Sequence, residues 1–158
     1  MRAMTRRNVL SAALFASAAL VSGVAVAGAP SKVKAEVMVN LATKGPEPGS
    51  YDARIGDVSR LKEPPFSAFN TYKLLDKQTL ELESGKNGSV KLPNGRSLQV
   101  SYAGLTPDNR HDVSASISQA DGNSFLKLLR VSASVGQTFF VAGQSYQGGN
   151  LVLAITLR

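Results

Sequence analysis

Between Arg130 and Arg158 the chain carries no charged side chain. Within that run, Phe139-Phe140-Val141-Ala142-Gly143 and Leu151 through Leu157 are apolar and rich in β-forming residues, and they flank a stretch of Gln, Ser, Tyr, Gly and Asn. An uncharged β-prone run of this length invites edge-to-edge aggregation unless its strands are paired on both sides. The constraint predicts a hairpin at the centre of a sheet. In its second arm Leu151, Leu153, Ile155 and Leu157 put large side chains on one parity, while Val152, Ala154 and Thr156 put small ones on the other. Successive strand residues point to opposite faces, so this asymmetry predicts one deep core face and one thinly covered face.

The rest of the body fits strands of the same kind. Val37, Val39 and Leu41 alternate with Glu36, Met38 and Asn40, the period of a strand with one buried face. A Pro- and Gly-rich break follows from Lys44 to Ser50. Asp52 to Lys62 is the one helical candidate, with Ile55, Val58 and Leu61 at intervals of three and Pro64-Pro65 as a stop; Gly56 inside it makes an ordered loop the alternative. Phe66, Phe69 and Tyr72 form the densest aromatic group. They are expected to plug the open end of a sandwich, with a ligand platform as the alternative.

From residue 78 onward, alternating apolar segments are separated by turn chemistry: Lys86-Asn87-Gly88, Pro93-Asn94-Gly95, Thr106-Pro107-Asp108-Asn109 and Asp121-Gly122. One segment is out of phase. Leu126 and Leu128 share one parity and Leu129, Val131 and Ala133 the other, which predicts a β-bulge at Leu128-Leu129. Short strands, closely spaced turns and almost no helix predict an all-β fold, a single antiparallel β-sandwich or small barrel with at most one short helix.

The 158 residues leave room for one domain, expected at 28–158 behind an export signal at 1–27. That signal has a basic start, an apolar middle from Val9 to Val26, and a cleavage site with Ala25 and Ala27 at its small-residue positions. Thr5-Arg6-Arg7-Asn8-Val9-Leu10 resembles the twin-arginine export signal, with Val9 where that signal usually carries Phe. The resemblance implies that Arg6 and Arg7 are the recognised pair and that the body is exported folded, although the general secretory route remains an alternative. The expected location is periplasmic or secreted, with an uncleaved membrane anchor as the alternative and no stable membrane span after cleavage. Removing residues 1–27 leaves 15 basic and 11 acidic side chains, a net charge of +4. They are scattered rather than gathered in a stripe, which argues against nucleic acid as a partner.

Without cysteine there is no disulfide, thiolate metal site or cysteine nucleophile. His111 is the only histidine, so no multi-histidine metal site is expected. Its neighbours Asp108 and Asp112 could serve a small hydrolase, but no nucleophile elbow accompanies them. Glu81 and Glu83 read as the wet face of a strand rather than a glycosidase pair, and Asp52, Asp57 and Glu63 lack calcium-loop spacing. No catalytic set, metal or cofactor is therefore expected. The distinctive segment is Gly143 to Asn150, where Gln144, Gln147 and Asn150 offer amides and Tyr146 a ring with a hydroxyl. These four are the candidate binding residues, with a plain hairpin turn as the alternative. The expected function is a non-catalytic binding or structural accessory module of a bacterial envelope or secretion assembly. An envelope protein or anionic surface polymer is the expected partner; a periplasmic hydrolase and a self-associating subunit are the alternatives.

Overall fold

A computed structural model of the chain describes residues 31–158. The export signal with Arg6 and Arg7, and the cleavage site at Ala25 and Ala27, lie outside the described residues. Among the described residues nine strands run in chain order: β1 (Lys32–Thr43), β2 (Ser50–Tyr51), β3 (Thr71–Glu83), β4 (Asn87–Lys91), β5 (Ser97–Leu105), β6 (His111–Ser118), β7 (Phe125–Ala133), β8 (Thr138–Tyr146) and β9 (Gly149–Leu157). They form a five-stranded sheet, β2-β3-β1-β9-β8, and a four-stranded sheet, β4-β5-β6-β7. Apart from the two-residue parallel pairing of β2 with β3, the pairings are antiparallel. The expected all-β sandwich is the fold. No helix among the described residues is long and apolar enough to cross a membrane.

The two sheets face each other across one core. Val33, Ala35, Val37 and Val39 of β1 and Leu151, Leu153, Ile155 and Leu157 of β9 meet Leu98, Val100, Tyr102, Val113, Ala115 and Ile117 of the smaller sheet. Fully burying a Leu or Ile side chain contributes about 1.5–3 kcal/mol. The alternate residues of β9 therefore supply a large share of the hydrophobic stabilisation.

Bulges reconcile strand phase with burial. Leu129 pairs with Ala115 and Lys127 with Ser116, so Leu128 is the extra residue, as the phase break predicts. A bulge at Leu75 in β3 does the same for its even-numbered residues: Tyr72 and Leu74 pack on the outer face of the larger sheet, and Leu80 and Leu82 against the inter-sheet core.

Four expectations are corrected. First, β9 is interior, but β8 ends its sheet rather than lying at the centre. A bulge at Gly143, with φ 119°, interrupts β8 and disfavours extension of the sheet by a further strand. Second, Asp52 to Lys62 is not a helix but two 3₁₀ turns, Ala53–Ile55 and Ser59–Lys62. Gly56 lies between them at φ 82°, outside helical space, and Asp57 turns back to accept hydrogen bonds from Ser59. Third, the turn before β4 is at Ser84-Gly85, where Gly85 has φ 81°; Asn87 and Gly88 are already in β4. A Cβ on Gly88 would lie 2.9 Å from Leu80 Cδ1, so close packing accounts for this glycine.

The fourth correction concerns the aromatic group. Phe66, Phe69 and Tyr72 do not plug the end of the sandwich. Together with Ile55 and Leu61 they form a second apolar cluster over the outer face of the larger sheet, on Met38, Ala42, Leu74, Val152 and Ala154. The segment from Lys44 to Asn70 is thus a lid, which continues through a third 3₁₀ turn at Phe66–Ala68. It buries Asn40, Val152 and Ala154 completely, so β1 and β9 are covered on both faces rather than one. Tyr72 anchors this cover: its hydroxyl donates to Phe66 O at 2.7 Å, and its ring stacks on Tyr51. Burial, then the neighbouring Tyr51, pushes the Tyr72 phenol up to about 12.

Candidate functional site

The lid meets the outer face of the larger sheet along a cleft of about 360 Å³. Its floor is Met38 of β1, Phe140 and Thr138 of β8, and Thr156 of β9; Thr138 and Thr156 share a hydroxyl hydrogen bond of 2.7 Å. Ile55, Gly56 and Asp57 of the lid form one wall. Four cationic side chains, Arg54, Arg60, Lys77 and Arg158, surround the opening.

Glu36 organises the sheet side. It lies on β1 one turn of the pleat from Met38, and its side chain is only 13% exposed. Arg158 donates to Oε1 at 3.0 Å, and Lys77 Nζ lies 3.3 Å from Oε2. Burial alone would raise the Glu36 carboxyl, but hydrogen bonds from Arg158 and Lys77 outweigh it and leave the group more acidic than usual.

The sign of the pH effect follows. A carboxyl more acidic in the folded state than in the unfolded chain contributes stability above its ordinary value of 4.5, and the contribution is lost as pH falls through the folded value. Glu36→Gln is expected to lower the urea midpoint most at pH 7, with the gap from wild type narrowing below pH 4.5. A gap that stays constant between pH 3 and 7 would remove this assignment.

On the lid side Asp52 is the clamp. Its backbone N–H donates to Tyr72 O, its carboxylate accepts from Leu74 N, and Arg54 grips both carboxylate oxygens. The Arg54 guanidinium, by side-chain hydrogen bonding, holds the Asp52 carboxyl well below the usual carboxylate range. The same pairing raises Arg54. Asp57 is likewise held more acidic than usual by hydrogen bonds from Ser59.

The residues singled out in the C-terminal run do not gather at this cleft or at any one place. β8 continues to Tyr146 and β9 starts at Gly149, so only Gln147 and Gly148 turn the chain. Gln144 pairs with Leu151 and shares its core-side face, and Tyr146 packs against the same core. Asn150 pairs with Ala42 and shares the lid-side face. The eight-residue loop expected there is therefore a two-residue turn, and its polar side chains diverge. Gln147 has φ 44° and Gly148 φ 75°, the paired left-handed geometry of a type I′ turn. Glutamine has no local hydrogen bond to favour that region, whereas asparagine visits it readily. Gln147→Asn is expected to raise stability by about 0.5–1 kcal/mol, read as an increased thermal midpoint.

His111 also stands apart. Its Nδ1 lies 2.9 Å from the hydroxyl of buried Tyr102, which itself donates to Ser31 Oγ. The Asp112 carboxylate is gripped by Arg130 Nε and Nη2, and that hydrogen bonding leaves it more acidic than usual. The histidine is oriented by a tyrosine, and its sequence neighbour Asp112 serves an ion pair. Glu81 and Glu83 pair with Lys34 and with Lys32 and Lys86. Among the described residues no group of three or more acids and histidines is placed to hold a metal ion.

Sequence reasoning missed Glu36, Lys77 and Arg158 as a group. Glu36 and Arg158 are 122 positions apart, and only the β1-β9 pairing brings them together. The one local signal is a lone acid on the second face of a strand whose other face, from Val33 to Leu41, is apolar. No protein-family model, curated protein or solved structure matches the chain.

Proposed function

We propose that this protein is a non-catalytic binding module of the bacterial cell envelope, exported to the periplasm or beyond, with the cleft between lid and sheet as its contact site. The observation that carries the reading is the makeup of that cleft. Cationic donors ring a floor of Met38, Phe140 and the mutually bonded Thr138 and Thr156, and the carboxylates on its walls each accept hydrogen bonds within the protein. Such a concave surface, with a few convergent polar groups over apolar lining, suits ligand or partner capture. The basic start, apolar middle and small-residue cleavage site of residues 1–27 support the location.

Two measurements test it. Wild-type protein fixed to a support is expected to retain a component of solubilised envelope that Lys77→Glu combined with Arg60→Glu fails to retain. Equal retention by both would move the contact elsewhere, the β8-β9 turn at Gln147 and the adjoining Tyr146 being next. For the location, Arg6→Lys with Arg7→Lys is expected to abolish export of the folded body, read by fractionation; unchanged export would remove the twin-arginine assignment.

A structural role by self-association is the second reading, and β8 favours it. This edge strand carries no charge in the half before its Gly143 bulge, Thr138 to Ala142, so two copies could pair there without like-charge contact. Mass that rises with concentration in light scattering would support it, and a constant monomer mass would remove it.

A further inference from the structure

Resting on the reading of the cleft as the contact site, we infer that its ligand is an organic oxyanion carried on an apolar frame, a carboxylate or phosphate attached to a hydrocarbon or aromatic body. Four cations and two carboxylates, Glu36 and Asp57, line the cleft, a net charge of +2. Arg54 and Arg60 also touch Asp52 and Glu63, which lie outside the lining.

Hydrogen-bonding capacity decides the sign of the ligand. Glu36 has both oxygens occupied, one by Arg158 and the other by Lys77. Asp57 accepts from both the backbone and the hydroxyl of Ser59 on Oδ1, which leaves its Oδ2 as the one carboxylate oxygen of the lining without a hydrogen bond among the described residues. The donors are in excess. An arginine carries five N–H groups and a lysine three. Arg158 commits Nη2 to Glu36, Lys77 commits one N–H to the same carboxylate, and Arg54 commits Nε and Nη2 to Asp52 and Leu74 O. Among the described residues the Arg60 side chain makes only a long contact of 3.8 Å to Glu63, and it is 73% exposed. Glu36 beneath Lys77 and Arg158 holds those two cations in place, so an arriving anion meets oriented donors.

The floor supplies the second half. Met38 and Phe140 give the cleft an apolar part to its base, beside Thr138 and Thr156, whose hydroxyls bond each other. A bare inorganic anion would leave that base wet, and a purely apolar molecule would strip water from the cations without replacing it. An oxyanion on an apolar frame satisfies both, and charge-assisted hydrogen bonds to planar guanidinium groups suit carboxylate and phosphate alike.

The test is calorimetric titration of the protein with benzoate, phenyl phosphate, inorganic phosphate and benzyl alcohol. Benzoate or phenyl phosphate is expected to bind, the tighter of the two naming the oxyanion, while inorganic phosphate and benzyl alcohol bind at least about tenfold more weakly. Arg60→Gln, on the exposed rim, is expected to weaken the winning ligand by about tenfold with an unchanged thermal midpoint. Should that variant fail to fold, backbone N–H shifts of the labelled wild type map the site instead, and the expected movers are Gly56, Asp57, Gly136 and Thr138. Benzyl alcohol binding as well as benzoate, inorganic phosphate binding as well as phenyl phosphate, no binding by either aromatic anion, or shifts confined to residues away from the cleft would overturn the inference. If the charge-reversed cleft variant still releases the envelope component while the aromatic anions fail to bind, only the ligand chemistry falls and the contact site stands.

Discussion

Leu153→Ala should lower the unfolding free energy by about 2–5 kcal/mol and the thermal midpoint by roughly 10 °C or more. Leu153 is 1% exposed and sits on the interior strand of the larger sheet, paired with Val39 on one side and Val141 on the other. Its own strand β9 and its neighbour β1 are each paired on both sides, so the surrounding structure collapses little into the cavity, and the transfer and cavity contributions add. Thermal and urea melts measure it. A loss below 1 kcal/mol would mean that the inter-sheet core is looser than its complete burial implies.

Gly149→Ala is expected to be similarly damaging, whereas Gly148→Asn should change stability by only a few tenths of a kcal/mol. The two adjacent glycines serve different ends. Gly148 has φ 75° with open space around its missing Cβ, and asparagine tolerates that backbone. A Cβ on Gly149 would come 2.3 Å from the carbonyl oxygen of Ala42 and 2.7 Å from Thr43 Cγ2. The first obstacle is backbone of β1 in the middle of a paired sheet, which cannot yield without breaking β1-β9 pairing. The pair is checked by melting both variants side by side. Equal effects would remove the distinction between a conformational and a steric glycine.

This glycine pair shows where sequence reading stops. Both glycines are consistent with a turn, and only the position of β1 across β9 separates them. The Leu128 bulge was legible because side-chain parity is a local property of one strand, and a break in it has one economical solution. The Gln119–Gly122 and Thr106–Asn109 turns were legible for the same local reason, and each closes with the expected backbone hydrogen bond from its fourth residue to its first. The Asp52–Lys62 segment misled because Ile55, Val58 and Leu61 do share a buried side, as a helix would require. They share it through 3₁₀ turns laid on a sheet, with Gly56 breaking the run.

The cleft was not legible at all. Arg54 and Arg60 come from the lid, Lys77 from β3, Phe140 from β8 and Arg158 from beyond β9. None of these residues is unusual in its own segment, and the polar segment that did look unusual, Gly143 to Asn150, spreads its side chains over two faces and a turn.

Sequence by itself determined the all-β class, most turn positions, the bulge in β7 and the core face of β9, because each follows from a period of two or from a turn residue acting on its immediate neighbours. Only the tertiary structure decided that β8 lies at an edge, that the aromatic segment becomes a lid, and that Glu36 meets Lys77 and Arg158. Those outcomes depend on which strand pairs with which. Pairing is a competition among distant segments with similar alternating patterns, and local sequence carries no record of the winner. The uncharged final stretch required burial; β1 on one side and the lid above it supplied that burial, and the same lid created the cleft.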